Sequence, residues 1–144
     1  GKEVVKKKHK KQAVKYEDLT TSGKIRAALL GKGPERMMAL RDTNPLVRAA
    51  AIKSPLLTDN DILRITANKN ANEDVLRVIS NNRDMMKQYQ VKVNLVGNPR
   101  TPFAATMKLI QHLRDSDLKI LARSRDVPGA VQTTIKQHLM KKAK

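Results

Sequence analysis

Apolar residues recur at helical spacing along most of this chain, from about Glu17 to its C-terminal end. In the segment TTSGKIRAALL, for example, Ile25, Leu29 and Leu30 fall on one face of a helix. The segment VKVNLV alternates as a strand would, but no other segment is strand-like enough to pair with it. The pattern therefore predicts an all-α protein with about nine short helices.

Two helix starts carry capping signals. Asn44 followed by Pro45 places a capping side chain before a proline at the first helical position. Thr58 with Asp61 three residues later is the spacing of a capping box, in which each side chain binds the other residue's backbone N–H. Both signals predict where a helix begins.

The apolar segments are organised as a repeat. Asn44, Asn70, Asn98 and Asp126 each separate one apolar segment from the next, at intervals of 26, 28 and 28 residues. Each repeat has room for two helices of roughly ten residues, and one such pair cannot bury its apolar face alone. We therefore predict a short right-handed α-solenoid of about four to five stacked helix pairs.

Two adjacent segments, NPLVRAAAIKSP and LTDNDILRITANKN, resemble HEAT-type repeats and the leucine-rich-repeat variants. The resemblance covers about residues 24–140. The chain also resembles bacterial proteins that share its KIRAALLG, AAIKSP, LARS and VP skeleton and have no assigned activity. The first resemblance implies a binding scaffold rather than an enzyme, of a kind whose basic members bind DNA or RNA.

Positive charge is concentrated in the N-terminal segment but is not confined to it. The chain has a formal net charge of +17, residues 1–15 contain seven lysines and one glutamate, and residues 24–140 contain 20 basic and 10 acidic side chains. We predict a disordered Lys-rich arm or linker over 1–16, a repeat domain over 17–140 and a basic tail over 141–144. This charge favours a polyanionic partner.

Several classes of chemistry are disfavoured. The chain lacks cysteine, which fits a reducing, cytoplasmic location, and it has neither an apolar run of membrane-spanning length nor a secretory signal. His9, His112 and His138 lack the spacing of metal ligands. Residues 31–36, GKGPER, lack the spacing of a phosphate loop. They are predicted to be a helix end at Gly31 followed by a turn. We therefore expect no catalytic residues, no metal and no cofactor.

The aromatic content indicates which kind of nucleic acid the chain binds. Tyr16, Tyr89 and Phe103 are its only aromatic residues, too few to stack many unpaired bases. We therefore predict recognition of phosphates and shape on duplex DNA or structured RNA. The candidate binding residues are five lysines of the arm and six cations in or beside the first helices of successive pairs: Lys6, Lys7, Lys8, Lys10, Lys11, Arg48, Lys53, Arg77, Arg83, Arg100 and Lys108.

The alternative is a protein–protein interaction scaffold. In that interpretation the chain is the C-terminal repeat domain of a larger protein, the arm is a linker or targeting segment, and the partner is an acidic protein. The two hypotheses differ in a structural property. Nucleic-acid binding predicts that basic residues from different repeats converge, whereas scaffolding predicts an exposed apolar or mixed groove with dispersed charges.

Overall fold

A computed structural model describes residues 14–143, and this part of the chain is entirely helical. The VKVNLV segment lies within a helix, and residues 14–143 contain no β-strand, so the all-α prediction is confirmed. After a 3-10 helix at Tyr16–Asp18, the α-helices are α1 (Thr21–Leu30), α2 (Gly33–Leu40), α3 (Pro45–Ile52), α4 (Asp59–Ala67), α5 (Glu73–Ser80), α6 (Tyr89–Gly97), α7 (Phe103–Ile110), α8 (Asp115–Leu121) and α9 (Gly129–Ala143).

The described residues form two compact units, which divide between Pro55 and Leu56. In the N-terminal unit, α1 packs against α2 and α3, and α2 packs against α3. Small and branched side chains fill its core, among them the fully buried Ala28, Leu40 and Val47. The two alanines of α1 and α2 in this core, Ala28 and Ala39, allow the helices to approach closely.

The C-terminal unit is built from α4 to α9. Helix α6 packs against α4, α7 and α8, and α9 packs against α7 and α8. Each helix contributes apolar side chains at three- and four-residue spacing to the core, and each such side chain contributes about 1.5–3 kcal/mol when fully buried. This consecutive packing is compatible with a helical repeat. The largest fully buried side chains are Ile65, Leu76, Ile79, Leu95, Ile110, Leu118 and Ile135.

Both predicted helix starts are confirmed. Thr58 Oγ1 accepts a hydrogen bond from Asp61 N at 3.1 Å, and Asp61 Oδ2 accepts one from Thr58 N at 3.0 Å, which completes the capping box of α4. Asn44 Oδ1 accepts from Leu46 N at 2.9 Å, ahead of the proline at the first position of α3. These side chains satisfy backbone donors that a helix start leaves without a partner.

An aspartate or asparagine closes each of three turns between helix pairs. The Oδ1 atoms of Asp42, Asn68 and Asn98 each accept a hydrogen bond from the backbone N–H two residues later, at 2.8–2.9 Å. At two of the junctions the closing residue therefore lies two positions before the asparagine that the repeat pattern selected. The fourth predicted junction residue, Asp126, lies in the turn that precedes α9.

Gly31 ends α1, as the sequence predicted, but its backbone is not left-handed. Its φ is −76°, which any residue can adopt. A Cβ at this position would instead collide with the Ala27 carbonyl oxygen and the Glu35 carboxylate. The glycine is therefore needed for space. The Gly31 carbonyl also accepts a hydrogen bond from Arg36 Nη1 at 2.9 Å, which ties the end of α1 to α2.

Residues 1–13, which contain most of the predicted arm, and residue 144 lie outside the described residues. Tyr16, the last residue of that predicted arm, lies in the 3-10 helix, and α9 continues through Ala143. None of the helices described here combines the length and hydrophobicity that a membrane span requires.

Candidate nucleic-acid interface

The structure places the predicted basic residues in different environments. The five lysines of the arm, Lys6, Lys7, Lys8, Lys10 and Lys11, precede the described residues. Lys53 follows α3 in the N-terminal unit and is exposed. In the C-terminal unit, four exposed cations lie on or beside α5 and α7: Arg77, Arg83, Arg100 and Lys108.

Arg48 differs from the other candidates because its side chain is turned into the N-terminal unit. The residue is only 9% exposed. Its Nη1 donates hydrogen bonds to the carbonyl oxygens of Asp42 at 2.7 Å and Thr43 at 3.0 Å. The guanidinium therefore satisfies the carbonyls of the turn between α2 and α3, and Arg48 is not part of the exposed basic surface.

Arg77 on α5 and Lys108 on α7 line the same surface groove. The groove has a volume of about 230 Å³. Arg77, Ser80 and Asn81 have three- and four-residue spacing and so lie on one face of α5 and its C-terminal end. On α7, the small side chains of Ala104 and Ala105 leave the groove open. We call this feature the α5–α7 groove, and its lining residues are Arg77, Ser80, Asn81, Pro102, Ala104, Ala105, Lys108 and Leu109.

The α5–α7 groove is electropositive. Its lining contains two cations and no carboxylate. Arg77 forms an ion pair with Glu73 one turn earlier on α5, but both side chains are about half exposed, so the pair contributes only about 0.3–0.5 kcal/mol and is screened by salt. Within residues 14–143, Lys108 forms no ion pair. Both cations can therefore turn toward an anionic group in the groove.

The polar side chains beside these cations define what the groove can recognise. The Ser80 hydroxyl donates to the Arg77 carbonyl oxygen at 2.8 Å, so its hydrogen is already engaged. Asn81 contributes an amide that can donate to an oxygen. A guanidinium, an ammonium and an amide donor around a small apolar floor fit a phosphate oxygen better than they fit a neutral ligand.

The aromatic side chains do not extend this groove. Phe103 is 55% exposed, but on the helical wheel of α7 it lies on the side away from the groove alanines. The Tyr89 ring is covered by the Arg114 guanidinium, 4.3 Å from the ring centroid, and the Tyr16 ring has Lys24 Nζ 5.4 Å from its centroid. The groove is therefore suited to phosphate rather than to base stacking.

The sequence reasoning selected Arg77 and Lys108 but missed the uncharged lining. Ser80 and Asn81 lie three and four residues after Arg77, and Ala104 and Ala105 lie four and three residues before Lys108. That spacing was the available signal, since it places each set on one helical face. Charge alone does not identify these residues, because small and polar side chains are common on any exposed helix.

Two of the three histidines, His112 and His138, lie in the described part of the chain, and His9 precedes it. His112 is exposed in the turn after α7, and His138 lies on α9 with a buried Nε2 atom that has no hydrogen-bond partner in the described part of the chain. No group of three or more potential ligand side chains in residues 14–143 is arranged to hold a metal ion.

No protein-family model, curated protein or solved structure shows significant similarity to this chain.

Proposed function

We propose that this chain is a non-enzymatic module of HEAT-like helical repeats that binds the phosphate backbone of DNA or structured RNA. In this proposal the helix pairs form a short right-handed solenoid, and the Lys-rich segment 1–16 acts as an arm along the nucleic acid. The observation that carries the proposal is the convergence of Arg77 and Lys108, from successive repeats, on one groove without a carboxylate in its lining.

The overall charge of the C-terminal unit supports the same proposal. Residues 56–143 contain 15 basic and eight acidic side chains. Each phosphate that such a surface neutralises releases condensed counterions, which makes affinity strongly dependent on salt and largely independent of sequence. Because phosphate contacts position a protein without reading bases, we expect weak sequence preference.

The test is fluorescence anisotropy of labelled duplex DNA and hairpin RNA across a salt series. We expect the double substitution Arg77→Gln and Lys108→Gln to reduce the slope of log affinity against log salt concentration by about 2, since each phosphate contact contributes about 0.9. The matched control is Arg64→Gln with Lys136→Gln, which removes the same charge from exposed positions on α4 and α9. Equal slopes for the two double variants would contradict the proposed site.

The contribution of the Lys-rich arm to nucleic-acid binding is tested with a separate variant. Changing Lys6, Lys7, Lys8, Lys10 and Lys11 to glutamine in the full-length chain separates its contribution from that of the folded part. Under our proposal this variant retains part of the salt-dependent binding, and that remainder is further reduced by Arg77→Gln with Lys108→Gln. If the arm variant binds neither nucleic acid, the folded part has no such function.

A protein–protein scaffold is the second candidate, and exposed apolar side chains favour it. Leu46 on α3, Ile120 on α8 and Met140 on α9 are each more than 60% exposed. Single exposed apolar residues are common on folded proteins, and these three lie on different helices. The scaffold hypothesis predicts that the chain binds an acidic protein and that added nucleic acid does not displace that protein from the chain.

A further inference from the structure

Three junction turns of the C-terminal unit lie side by side. They are residues 68–72, 98–102 and 122–128, which follow α4, α6 and α8. The second turn is bound to the first, since Asn98 Nδ2 donates to the Asn68 carbonyl oxygen at 2.8 Å and Lys69 Nζ donates to the Gly97 carbonyl oxygen at 2.7 Å. The ends of α6 and α8 also meet, because a Cβ on Gly97 would lie 3.1 Å from Leu121 Cδ2.

These turns carry exposed arginines. Arg100 is in the second turn, and Arg123 and Arg125 are in the third. Within residues 14–143, none of the three forms an ion pair. Asp126 is the only carboxylate in the sequence of the three turns. The turns therefore form a strongly positive edge, and we call Arg100, Arg123 and Arg125 the junction row.

The backbone beneath the junction row is held in place by hydrogen bonds. Asn98 Oδ1 accepts from Arg100 N at 2.9 Å, and Thr101 Oγ1 donates to the Leu95 carbonyl oxygen at 2.6 Å. In the third turn, Gln132 Nε2 donates to the Ser124 carbonyl oxygen at 2.5 Å. A ligand that binds these arginines has to order their side chains but not the turns that carry them, which lowers the entropic penalty of binding.

We propose that the junction row binds successive phosphates of one nucleic-acid strand and extends the interface that begins in the α5–α7 groove. This inference rests on the proposed function. Packed helices are about 8–10 Å apart, so turns that follow neighbouring helices present their arginines at roughly that interval. A small anion can occupy only one of the two turns, whereas a polymer with regularly repeated charges can contact both.

The junction row is also continuous with the groove. Arg100 precedes the groove residue Pro102 by two positions, and α7 then leads from Pro102 to Lys108 over about 9 Å, at 1.5 Å per residue. A strand that follows this helix therefore contacts cations at both ends of α7.

The test uses a junction variant that carries both Arg123→Gln and Arg125→Gln. Its control is the double variant Arg64→Gln with Lys136→Gln. Salt-dependent anisotropy with labelled duplex DNA and hairpin RNA is the measurement. We expect the junction variant to lower the log–log salt slope by about 2 and the control to leave it unchanged. The charge-preserving variant Arg123→Lys with Arg125→Lys retains the log–log salt slope if charge is responsible. Thermal unfolding of every variant is measured to check that the fold is unchanged.

The outcomes separate this inference from the proposed function. If the junction variant matches the control while Arg77→Gln with Lys108→Gln still lowers the slope, the junction row is not part of the interface and the proposed function stands. If the unaltered chain binds neither nucleic acid, both fail. If it binds polyglutamate but not nucleic acid, the partner is an acidic protein and both are overturned.

Discussion

The Tyr89 hydroxyl donates a hydrogen bond to Asp117 Oδ2 at 2.6 Å and so joins the start of α6 to the first turn of α8. The same hydroxyl accepts a hydrogen bond from Arg114 N at 2.8 Å. Burial of the phenol, followed by its hydrogen bond to the Asp117 carboxylate, raises the pKa of Tyr89 above its ordinary value. One side chain thus connects elements that are far apart in the chain.

Replacing Tyr89 with phenylalanine should destabilise the protein by about 1–2 kcal/mol, because both hydrogen bonds are lost while the ring is kept. Urea unfolding at neutral pH measures this difference. Since the pKa of Tyr89 is higher in the folded state than its ordinary 10.0, the hydroxyl contributes stability below pH 10 that is lost as the pH rises above it. The difference between the two proteins should therefore shrink at alkaline pH, and a difference that grows there would contradict the assignment.

Asp42 should stabilise the N-terminal unit above its unfolded-state pKa. Burial disfavours its charged form, but hydrogen bonds from Tyr16 and the Asn44 N–H, together with the charge of Lys24, lower the pKa of Asp42 below the ordinary 3.8. A carboxyl with a lowered folded-state pKa contributes stability above its unfolded-state value and loses that contribution as the pH falls through its folded-state value. We expect Asp42→Asn to lose less stability than the unaltered protein when the pH falls from 5 to 3.

Tyr16→Phe provides the control for Asp42, because it removes one donor and keeps the carboxyl group. NMR titration of the Asp42 carboxyl should give a higher pKa in this variant than in the unaltered chain. An unchanged midpoint would show that the Tyr16 hydroxyl does not stabilise the carboxylate.

Asn98 should contribute more to stability than any exposed junction asparagine. It is only 2% exposed, and its Nδ2 donates to the carbonyl oxygens of Thr66 and Asn68, each at 2.8 Å. Asn98→Ala leaves these carbonyls without that donor, so we expect a loss of about 2–3 kcal/mol in the free energy of unfolding. The matched control is the exposed Asn70, where alanine should change stability by less than about 0.5 kcal/mol.

Gly31 and Gly129 should respond in opposite ways to alanine. At Gly31 the new Cβ collides with the Ala27 carbonyl oxygen, so we expect a loss of about 1–3 kcal/mol. Gly129 begins α9 and has no atom within 4 Å of an added Cβ, so the higher helix propensity of alanine should leave stability unchanged or raise it by up to about 1 kcal/mol. Thermal unfolding of the two variants measures both effects, and a stable Gly31→Ala protein would show that the end of α1 can move.

Some residues of the proposed interface could be predicted from the sequence and others could not. The sequence predicts Arg77 and Lys108 because they are basic and belong to the first helices of successive predicted pairs. Arg48 met the same criterion, yet its guanidinium is bound to two turn carbonyls. Nothing in the local sequence distinguishes these arginines, since the direction of an arginine side chain depends on which carbonyls the folded turn leaves without partners.

The sequence by itself determined that residues 14–143 are helical and where α3 and α4 begin, because those signals act within three or four residues. The apolar periodicity, the Thr58–Asp61 capping box and the Asn44–Pro45 start each depend on contacts along one turn of helix. The tertiary structure alone decided which residues of different helices meet. Tyr89 reaches Asp117, and Arg77 shares a groove with Lys108, over separations of about 30 residues. These contacts depend on how the helices pack, which the pattern of a single segment does not specify.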